Sequence, residues 1–241
     1  MRKFRKFPLL LLTLAVAAVT TYWLLIVFPQ FFFRLERIEN LYIYHHANDD
    51  AVRAVGERAL AKIKRSNLYD PRATYRVFLT GSAAEYAFFT SLWRNSGGVF
   101  LIFARGNVFI RPSIVEEDRL IAPSGELVAA DRPLNYFIAH EAAHAMTYER
   151  LGFVRYLELN QWVREGVADK IARDEFDFEQ MSDQYRSGHP AMDYRRSGLY
   201  LKFQLLVEFA VRHLSYSEES LLERNPTETE IENALISFGR P

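Results

Sequence analysis

The chain has 241 residues, the size of about one domain, and its 49% hydrophobic and 15% aromatic residues exclude disorder over most of its length. Its 30 Lys and Arg residues balance its 30 Asp and Glu residues, so it lacks the basic excess of a typical nucleic-acid-binding protein, and we expect no nucleic-acid partner. It contains no cysteine, which excludes disulfide bonds and cysteine-ligated zinc or iron–sulfur sites.

The N-terminus, residues 1–33, predicts a membrane anchor. Residues 7–33 carry no charge, and residues 7–28 would form a helix about 33 Å long, which is enough to cross a bilayer. The small residues 15–17 would suit cleavage of a signal peptide, but the apolar run continues beyond them to Phe28 and favours an uncleaved anchor. Four basic residues precede the run: Arg2, Lys3, Arg5 and Lys6. The positive-inside rule therefore predicts a single-pass protein with a cytoplasmic N-terminus and a domain in the periplasm or outside the cell.

Residues 34–40 predict a linker between this anchor and one folded domain at residues 41–241. The first part of the domain contains both strands and helices. A helix is expected at residues 51–64, capped by Asp49 or Asp50, and a short one at residues 82–89. Gly106 predicts a hairpin between the last two of four strands, which are expected at residues 41–44, 75–79, 99–103 and 108–110.

Only helices are predicted after residue 131. Asp131 and Pro133 can begin a helix that stops at Gly152. Further helices are expected at residues 160–176 and 193–213, followed by two short helices, the last at residues 227–238 before Gly239. This order predicts an α+β fold, with a small mixed sheet followed by a mainly helical half.

Residues 140–144 have the sequence His-Glu-Ala-Ala-His, which is an H-E-x-x-H motif. Residues four positions apart share one face of a helix, so the imidazoles of His140 and His144 can bind one metal ion. Glu141 lies beside them and can reach a water molecule on that ion. Neutral imidazole nitrogens suit Zn²⁺, which makes zinc the expected metal.

A catalytic zinc needs a third protein ligand and one open position. Glu165, 21 residues after His144, is the candidate ligand. Asp169 is one helical turn further on the same face, where it could accept a hydrogen bond from the free N–H of a ligand histidine and fix its tautomer. Pairing with Arg173, four residues on, is the alternative role for Asp169.

Together these segments resemble the gluzincin metallopeptidases, and more narrowly the small bacterial peptidase MA-like domains. The likeness rests on residues 140–144, on the pattern W-x-x-E-G-x-A at residues 162–168, and less strongly on Tyr-Arg-Arg-Ser at residues 194–197. The resemblance implies a zincin-like domain in which the two histidines and Glu165 bind zinc. It also implies that Glu141 is the general base and that a hairpin strand lines the substrate cleft.

Hydrolysis of an amide also needs a group besides the metal that stabilises the developing oxyanion. In the gluzincins this group is a Tyr or His on a later helix, and Tyr194 matches the Tyr-x-x-Ser position of the family. Tyr185, His189 and Tyr200 are also near enough in the sequence to reach the site. Tyr200 fits core packing as well, because it begins an apolar helical series.

We therefore expect a membrane-anchored zinc metallopeptidase that acts on a peptide or protein substrate, with Glu141 taking the proton of a zinc-activated water. Two alternatives stay open. The first is a catalytically quiet zinc-binding module that binds envelope proteins, although such a site does not require Glu141. The second is a zinc amidase that acts on a cell-wall crosslink, which nothing in the sequence separates from a peptidase.

Overall fold

The computed structural model describes residues 6–93 and 95–238. Its centre is a five-stranded mixed sheet, in which three neighbouring strands are parallel and each outer strand is antiparallel to its neighbour. The strands are β1 (Arg34–Ile38), β2 (Leu41–His45), β3 (Tyr75–Leu79), β4 (Gly98–Leu101) and β5 (Asn107–Ile110), in the spatial order β1-β2-β3-β5-β4. Two shorter strands form a separate antiparallel pair, β6 (Ser113–Ile114) and β7 (Arg119–Leu120).

Helices account for most of the remaining secondary structure. They are α1 (Lys6–Val27), α2 (Asp49–Ile63), α3 (Ala83–Thr90), α4 (Leu134–Glu158), α5 (Gln161–Ala172), α6 (Phe178–Arg186), α7 (Tyr194–Ser197), α8 (Leu201–His213), α9 (Glu218–Arg224) and α10 (Glu228–Phe238). The expectation of an α+β fold with a small mixed sheet and a mainly helical second half is confirmed. The hairpin is also present, because β4 pairs with β5 around Gly106, whose φ is +71°.

The predicted linker at residues 34–40 is wrong, because most of it forms strand β1. This strand lies at one edge of the sheet and pairs with β2. Its inward residues, Glu36 and Ile38, are buried, while the alternating residues are exposed. Glu36 forms an ion pair with Arg53 of α2. Charged residues are common on edge strands, where they prevent pairing with other chains. Linkers are also rich in charged residues, which is why the composition of β1 led to the wrong prediction.

The predicted cap of α2 is wrong as well. The side chain of Asn48 accepts hydrogen bonds from the backbone N–H groups of Asp50 (2.9 Å) and Ala51 (3.2 Å), so the helix begins two residues earlier than expected. Asp49 and Asp50 instead occupy the first turn, where negative charge favours the helix dipole.

Three late helices also differ from the prediction. Gly152, at φ +74°, interrupts α4 as expected, but helical turns resume after it and continue to Glu158. The helix predicted at residues 193–213 is broken into α7 and α8 by Gly198, which adopts φ +67°. Helix α6 was not predicted, and Asp177 caps it by accepting the backbone N–H of Gln180. The stop predicted at Gly239 lies outside the described residues.

Apolar side chains cover both faces of the sheet. On one face, α2 and α4 pack against β2, β3 and β5, and this large core continues into α5 and α8. On the other face, a smaller cluster contains Phe78, Phe89 and Phe109, whose rings stack at centroid distances of 4.8–5.1 Å. Ile26, from the last turn of α1, packs against this second cluster.

Helix α1 is long and apolar enough to cross a membrane, and the segment Leu10–Val27 has a mean hydropathy of 2.3 and is almost wholly exposed. The basic residues Arg2, Lys3 and Arg5, on which the predicted orientation depends, lie outside the described residues. The presence of one candidate membrane helix agrees with the sequence, whereas the single-pass topology stays a prediction.

Candidate metal centre

Helix α4 presents the two motif histidines one turn apart, with ring centroids separated by 4.9 Å. Both side chains are buried. The intervening Ala142 and Ala143 are also buried, and their small size lets α4 pack closely beneath the sheet, where it contacts β4 and β5. The helix therefore holds both imidazoles on one face, in the orientation that the motif predicts.

Helix α5 packs against α4 and brings Glu165 to the histidines. Its Oε2 lies 3.4 Å from Nε2 of His140 and 3.4 Å from Nε2 of His144. Its Oε1 accepts a 3.1 Å hydrogen bond from Nε of Arg164, which turns the other oxygen towards the histidines. Burial would raise the pKa of Glu165, but the two neighbouring histidines hold that pKa well below its usual value.

These distances fit one tetrahedrally coordinated metal ion. Two ligand atoms that are each about 2.1 Å from a common ion lie about 3.4 Å apart at the tetrahedral angle. Ligand atoms of His140, His144 and Glu165 all lie within 4.8 Å of one another. Over residues 6–93 and 95–238, no other set of three His, Asp or Glu side chains meets this condition. The structure thus contains a buried group that could hold a metal ion.

Asp169 contacts His140 on the side opposite the ligand nitrogen. Its Oδ1 lies 2.9 Å from Nδ1 of His140 and accepts a 2.6 Å hydrogen bond from the hydroxyl of Tyr136. Its Oδ2 lies 3.7 Å from Arg173, so both contacts considered for Asp169 occur together. Burial alone would lower the pKa of His140, but its interactions with Asp169 and Glu165 raise the pKa to about 10.

Glu141 lies next to the three candidate ligands and faces β4. Burial raises the pKa of its carboxyl above the usual value, although His144, His140 and the backbone of Phe100 act in the opposite direction. The strand approaches this side chain very closely. A Cβ atom at Gly98 would lie only 2.5 Å from Cγ of Glu141, so the glycine is required for the observed packing.

A cleft of about 780 Å³ opens over the candidate ligands and Glu141. One wall is formed by β4, which lies at the edge of the sheet and pairs with β5. Tyr156 and Tyr200 also line the cleft, and the ring of Tyr156 contacts that of Phe100 of β4 at 5.7 Å. Burial raises the pKa of both hydroxyls, so each is protonated near neutral pH and can donate a hydrogen bond.

The structure places Tyr200, and not Tyr194, beside the candidate ligands. The ring of Tyr200 stacks on that of His140 at a centroid distance of 6.2 Å and an angle of 12°. Tyr194 is absent from the residues that line the cleft and packs on Phe203 at 5.3 Å. Gly198, with φ +67°, ends α7 and redirects the chain, so Tyr194 lies on that short helix whereas Tyr200 lies at the start of α8.

The two other sequence candidates are engaged elsewhere. The hydroxyl of Tyr185 donates a 3.0 Å hydrogen bond to Glu232 of α10. Nδ1 of His189 accepts a 3.2 Å hydrogen bond from the backbone N–H of Ala191. Neither residue lines the cleft over the candidate metal ligands.

Four residues of the site were missed by reasoning from the sequence. Two of them could have been found from their positions in the sequence. Tyr136 lies one helical turn before His140, and Arg164 is adjacent to Glu165. Tyr156 gave no such signal, since it follows the break at Gly152 and reaches the cleft only through the extra turns of α4. Gly98 lies just before the strand predicted at residues 99–103, although it begins strand β4.

Comparisons of the chain with protein-family models, with curated proteins and with solved structures found no match. The fold and the site therefore define an α+β protein with a candidate metal centre, and the resemblance to gluzincins stays a prediction.

Proposed function

We propose that this protein is a membrane-anchored zinc metallopeptidase. The observation that carries the proposal is the spacing of 3.4 Å between Glu165 Oε2 and Nε2 of each motif histidine, with the buried carboxyl of Glu141 beside them in an open cleft. A structural metal site is usually closed by four protein ligands, whereas a catalytic site keeps a position open. Three ligands beneath a cleft support the catalytic alternative.

Zinc is the metal that we propose. Two imidazole nitrogens and one carboxylate oxygen form a ligand set that is common for catalytic zinc. When bound, Zn²⁺ would lower the pKa of a coordinated water and polarise the carbonyl of a substrate. The contact between Asp169 and Nδ1 of His140 supports this role, because it leaves Nε2 as the ligand atom.

Glu141 and Tyr200 are the proposed catalytic residues. A general base works best when its pKa approaches the operating pH, and burial moves the pKa of Glu141 in that direction. Glu141 would accept the proton of the attacking water and deliver it to the leaving amine. The protonated hydroxyl of Tyr200 would donate a hydrogen bond to the oxyanion, the role that the sequence suggested for Tyr194.

The position of β4 supports a peptide as the substrate. An edge strand presents backbone N–H and C=O groups that an extended peptide can pair with, and β4 lies along the wall of the cleft. Such pairing recognises the backbone of a substrate, while the cleft would select side chains.

Contacts between α1 and the domain fix the C-terminal end of this helix to the fold. The hydroxyl of Tyr22 donates a 2.6 Å hydrogen bond to the carbonyl of Phe88, and the side-chain amide of Asn107 donates to the carbonyl oxygens of Ile26 (3.0 Å) and Val27 (3.2 Å). Cleavage near residues 15–17 would keep these contacts but leave only residues 18–27 of the helix, which are too few to cross a bilayer. The proposal of an uncleaved anchor therefore rests on the length of the apolar run. We propose a cytoplasmic N-terminus and a domain on the opposite side of the membrane.

The test uses the full chain in phospholipid nanodiscs, with metal content and cleavage of a peptide library as readouts. We expect one zinc per chain in the wild type and in Glu141→Gln, and none in His144→Ala. Glu141→Gln should reduce hydrolysis by about 10²–10⁴-fold, because it removes the base but not the ligands. A folded wild-type chain that binds no zinc would overturn the proposal.

The two alternatives give different results in the same experiment. A zinc-loaded wild type that cleaves no peptide but hydrolyses peptidoglycan fragments would be a cell-wall amidase. A zinc-loaded protein that cleaves neither substrate, and whose partners still bind Glu141→Gln, would be a binding module.

A further inference from the structure

The end of α1 is fixed to the domain at a level within the apolar segment. Tyr22 lies five residues before Val27, the last residue of the helix, and is therefore about 8 Å below its end. Its hydroxyl contacts both the carbonyl of Phe88 and Oγ of Ser91 at 2.6 Å. Tyr22 lies within the apolar segment Leu10–Val27, so if α1 crosses a bilayer, the part of the domain that contacts Tyr22 reaches the headgroup region. Apolar side chains at a membrane interface enter the headgroup region by about 5–10 Å, a depth similar to that of Tyr22.

Exposed apolar side chains surround this point and extend along the mouth of the cleft. Phe103 is 73% exposed, and its 3₁₀ turn, Ile102–Ala104, packs against α1. Its ring meets that of Phe153 at 5.6 Å. We call the following exposed residues the apolar rim: Phe88, Trp93, Phe103, Phe153, Val154 and Leu157.

The rim is unlike an ordinary protein surface. Its last three members lie on the final turns of α4, where they point to solvent while Tyr156 is buried. A contiguous exposed apolar patch marks an interaction site. Trp and other aromatic residues are also enriched at the membrane–water interface, where their rings sit among the lipid headgroups.

The charges near the rim suit a bilayer that contains anionic lipids. Residues 86–115 include no Asp or Glu. Arg105 and Arg155 are exposed next to rim residues, against one exposed carboxylate, Glu158, next to Leu157. The guanidinium of Arg105 lies 5.3 Å from the ring centre of Phe28, just after α1. Basic residues close to a membrane are attracted to its negative surface.

The cleft opens within the rim. Trp93 and Phe103 both line it, and β4 runs along the wall between them. Leu157 lines the cleft from the side of α4. Rim residues therefore flank both ends of β4, and a bilayer that met the rim would lie close to this edge strand.

We propose that the apolar rim is seated in the headgroup region of the bilayer that α1 crosses, so that the cleft receives the membrane-proximal segment of a polypeptide held in the same bilayer. The substrate class in this proposal rests on the peptidase function proposed above, whereas the seating of the rim does not. Confinement to one membrane raises the effective concentration of such a substrate at the cleft.

The seating is tested by spin labels on the full chain, which has no cysteine of its own. Single variants Phe103→Cys and Val154→Cys carry a nitroxide in nanodiscs of phosphatidylcholine and phosphatidylglycerol, and Glu179→Cys on α6 is the control. We expect collisions with oxygen, relative to collisions with a water-soluble nickel chelate, to be several-fold more frequent at positions 103 and 154 than at position 179. Labels at 103 and 154 that are as accessible to nickel as the control would overturn the proposal. Shielding from both reagents would also overturn it, because it would mean that protein covers the rim.

The substrate class is tested with one peptide sequence in two forms, either free or joined to a transmembrane segment in the same nanodisc. Val154 does not line the cleft, so Val154→Glu should leave cleavage of the free peptide unchanged and reduce cleavage of the anchored peptide by roughly tenfold. Gln180→Glu on α6 adds the same charge and should change neither rate. Equal effects of Val154→Glu on both forms would overturn this substrate class. A wild type that cleaves neither form would refute the peptidase function, while the spin labels would still decide the seating of the rim.

Discussion

Tyr200 and Tyr194 are six positions apart, but only Tyr200 stacks on a candidate ligand. Tyr200→Phe should lower kcat/KM by about 10²–10³-fold, because it removes a hydrogen bond to the oxyanion and keeps the ring. Zinc content and thermal stability should stay close to those of the wild type. Tyr194→Phe is the matched control and should retain nearly full activity. If only Tyr194→Phe lost activity, Tyr194 would be the residue that stabilises the oxyanion, as the sequence predicted.

Asp169 holds His140 through Nδ1, and its removal should weaken metal binding. We expect Asp169→Asn to lower zinc affinity by about 10–100-fold, since the amide cannot stabilise the same tautomer and charge. Competition with a chromophoric chelator measures this affinity. Asp177→Asn, in which the new residue can still cap α6, serves as a control and should bind zinc like the wild type. Equal affinities for the two variants would refute the role of Asp169.

His140 and His144 were accessible to reasoning from the sequence because helical spacing alone relates them, and the same spacing relates Asp169 to Glu165, whereas Glu165 was chosen for its place in a motif 21 residues further on. Tyr200 was not identified in this way. Its position depends on the left-handed conformation of Gly198, and a glycine within an apolar helical pattern does not reveal whether the helix continues or turns. Local periodicity therefore predicted the residues that share one helix and failed where a turn changes the direction of the chain.

The contact between α5 and α8 depends on the small size of Gly166. A Cβ atom at this position would lie 2.5 Å from the carbonyl oxygen of Phe203, which is backbone and cannot rotate away. Gly166→Ala should therefore force the helices apart and destabilise the fold by about 1–3 kcal/mol, in spite of the higher helix propensity of alanine. Thermal unfolding measures the change. Gln161→Ala, at an exposed position of the same helix, should be nearly neutral, and a stabilised Gly166→Ala would contradict the observed packing.

Strand β4 can approach α4 this closely only because residue 98 is a glycine, which has no side chain. Gly98→Ala should displace the carboxyl of Glu141 and reduce hydrolysis by at least about tenfold, since small displacements of a catalytic group are costly. Zinc content should persist, because the three ligands lie on α4 and α5. Parallel measurement of metal content and activity separates the two effects. Unchanged activity would mean that the strand can shift without moving Glu141.

Several elements were predictable from pattern, and their failures have physical causes. The short, mainly apolar run of β3 and the helical period of α2 gave those elements correct or nearly correct bounds. Strand β1 was missed because three of its five residues are charged, which is typical of a sheet edge but reveals a strand only once the neighbouring strand is known.

Metal removal should lower the stability of the whole molecule, because the candidate ligands join α4 to α5. A ligand present at 100 times its dissociation constant stabilises the folded state by about 2.7 kcal/mol if it does not bind the unfolded chain. We expect chelation to lower the Tm of the wild type by several degrees and readdition of zinc to restore it. His144→Ala should show no response to either treatment. An identical Tm with and without metal in the wild type would argue against zinc binding in the folded state.

At the scale of the molecule, hydropathy predicted an apolar segment that can span a membrane but not its attachment to the domain. That attachment arises from single contacts, such as those of Tyr22 and Asn107, which no periodic pattern encodes.

The end of α1 has a consequence for the fate of the protein in the cell. Val27 is 5% exposed, and Ile26 packs against the aromatic cluster on the second face of the sheet. The end of α1 and the domain thus share part of one core. Proteolytic shedding of the domain near residue 28 would uncover this cluster and leave a product prone to aggregation. If α1 is the membrane anchor that we propose, folding of the domain is coupled to its insertion, and we expect the intact protein to be retained at the membrane throughout its lifetime.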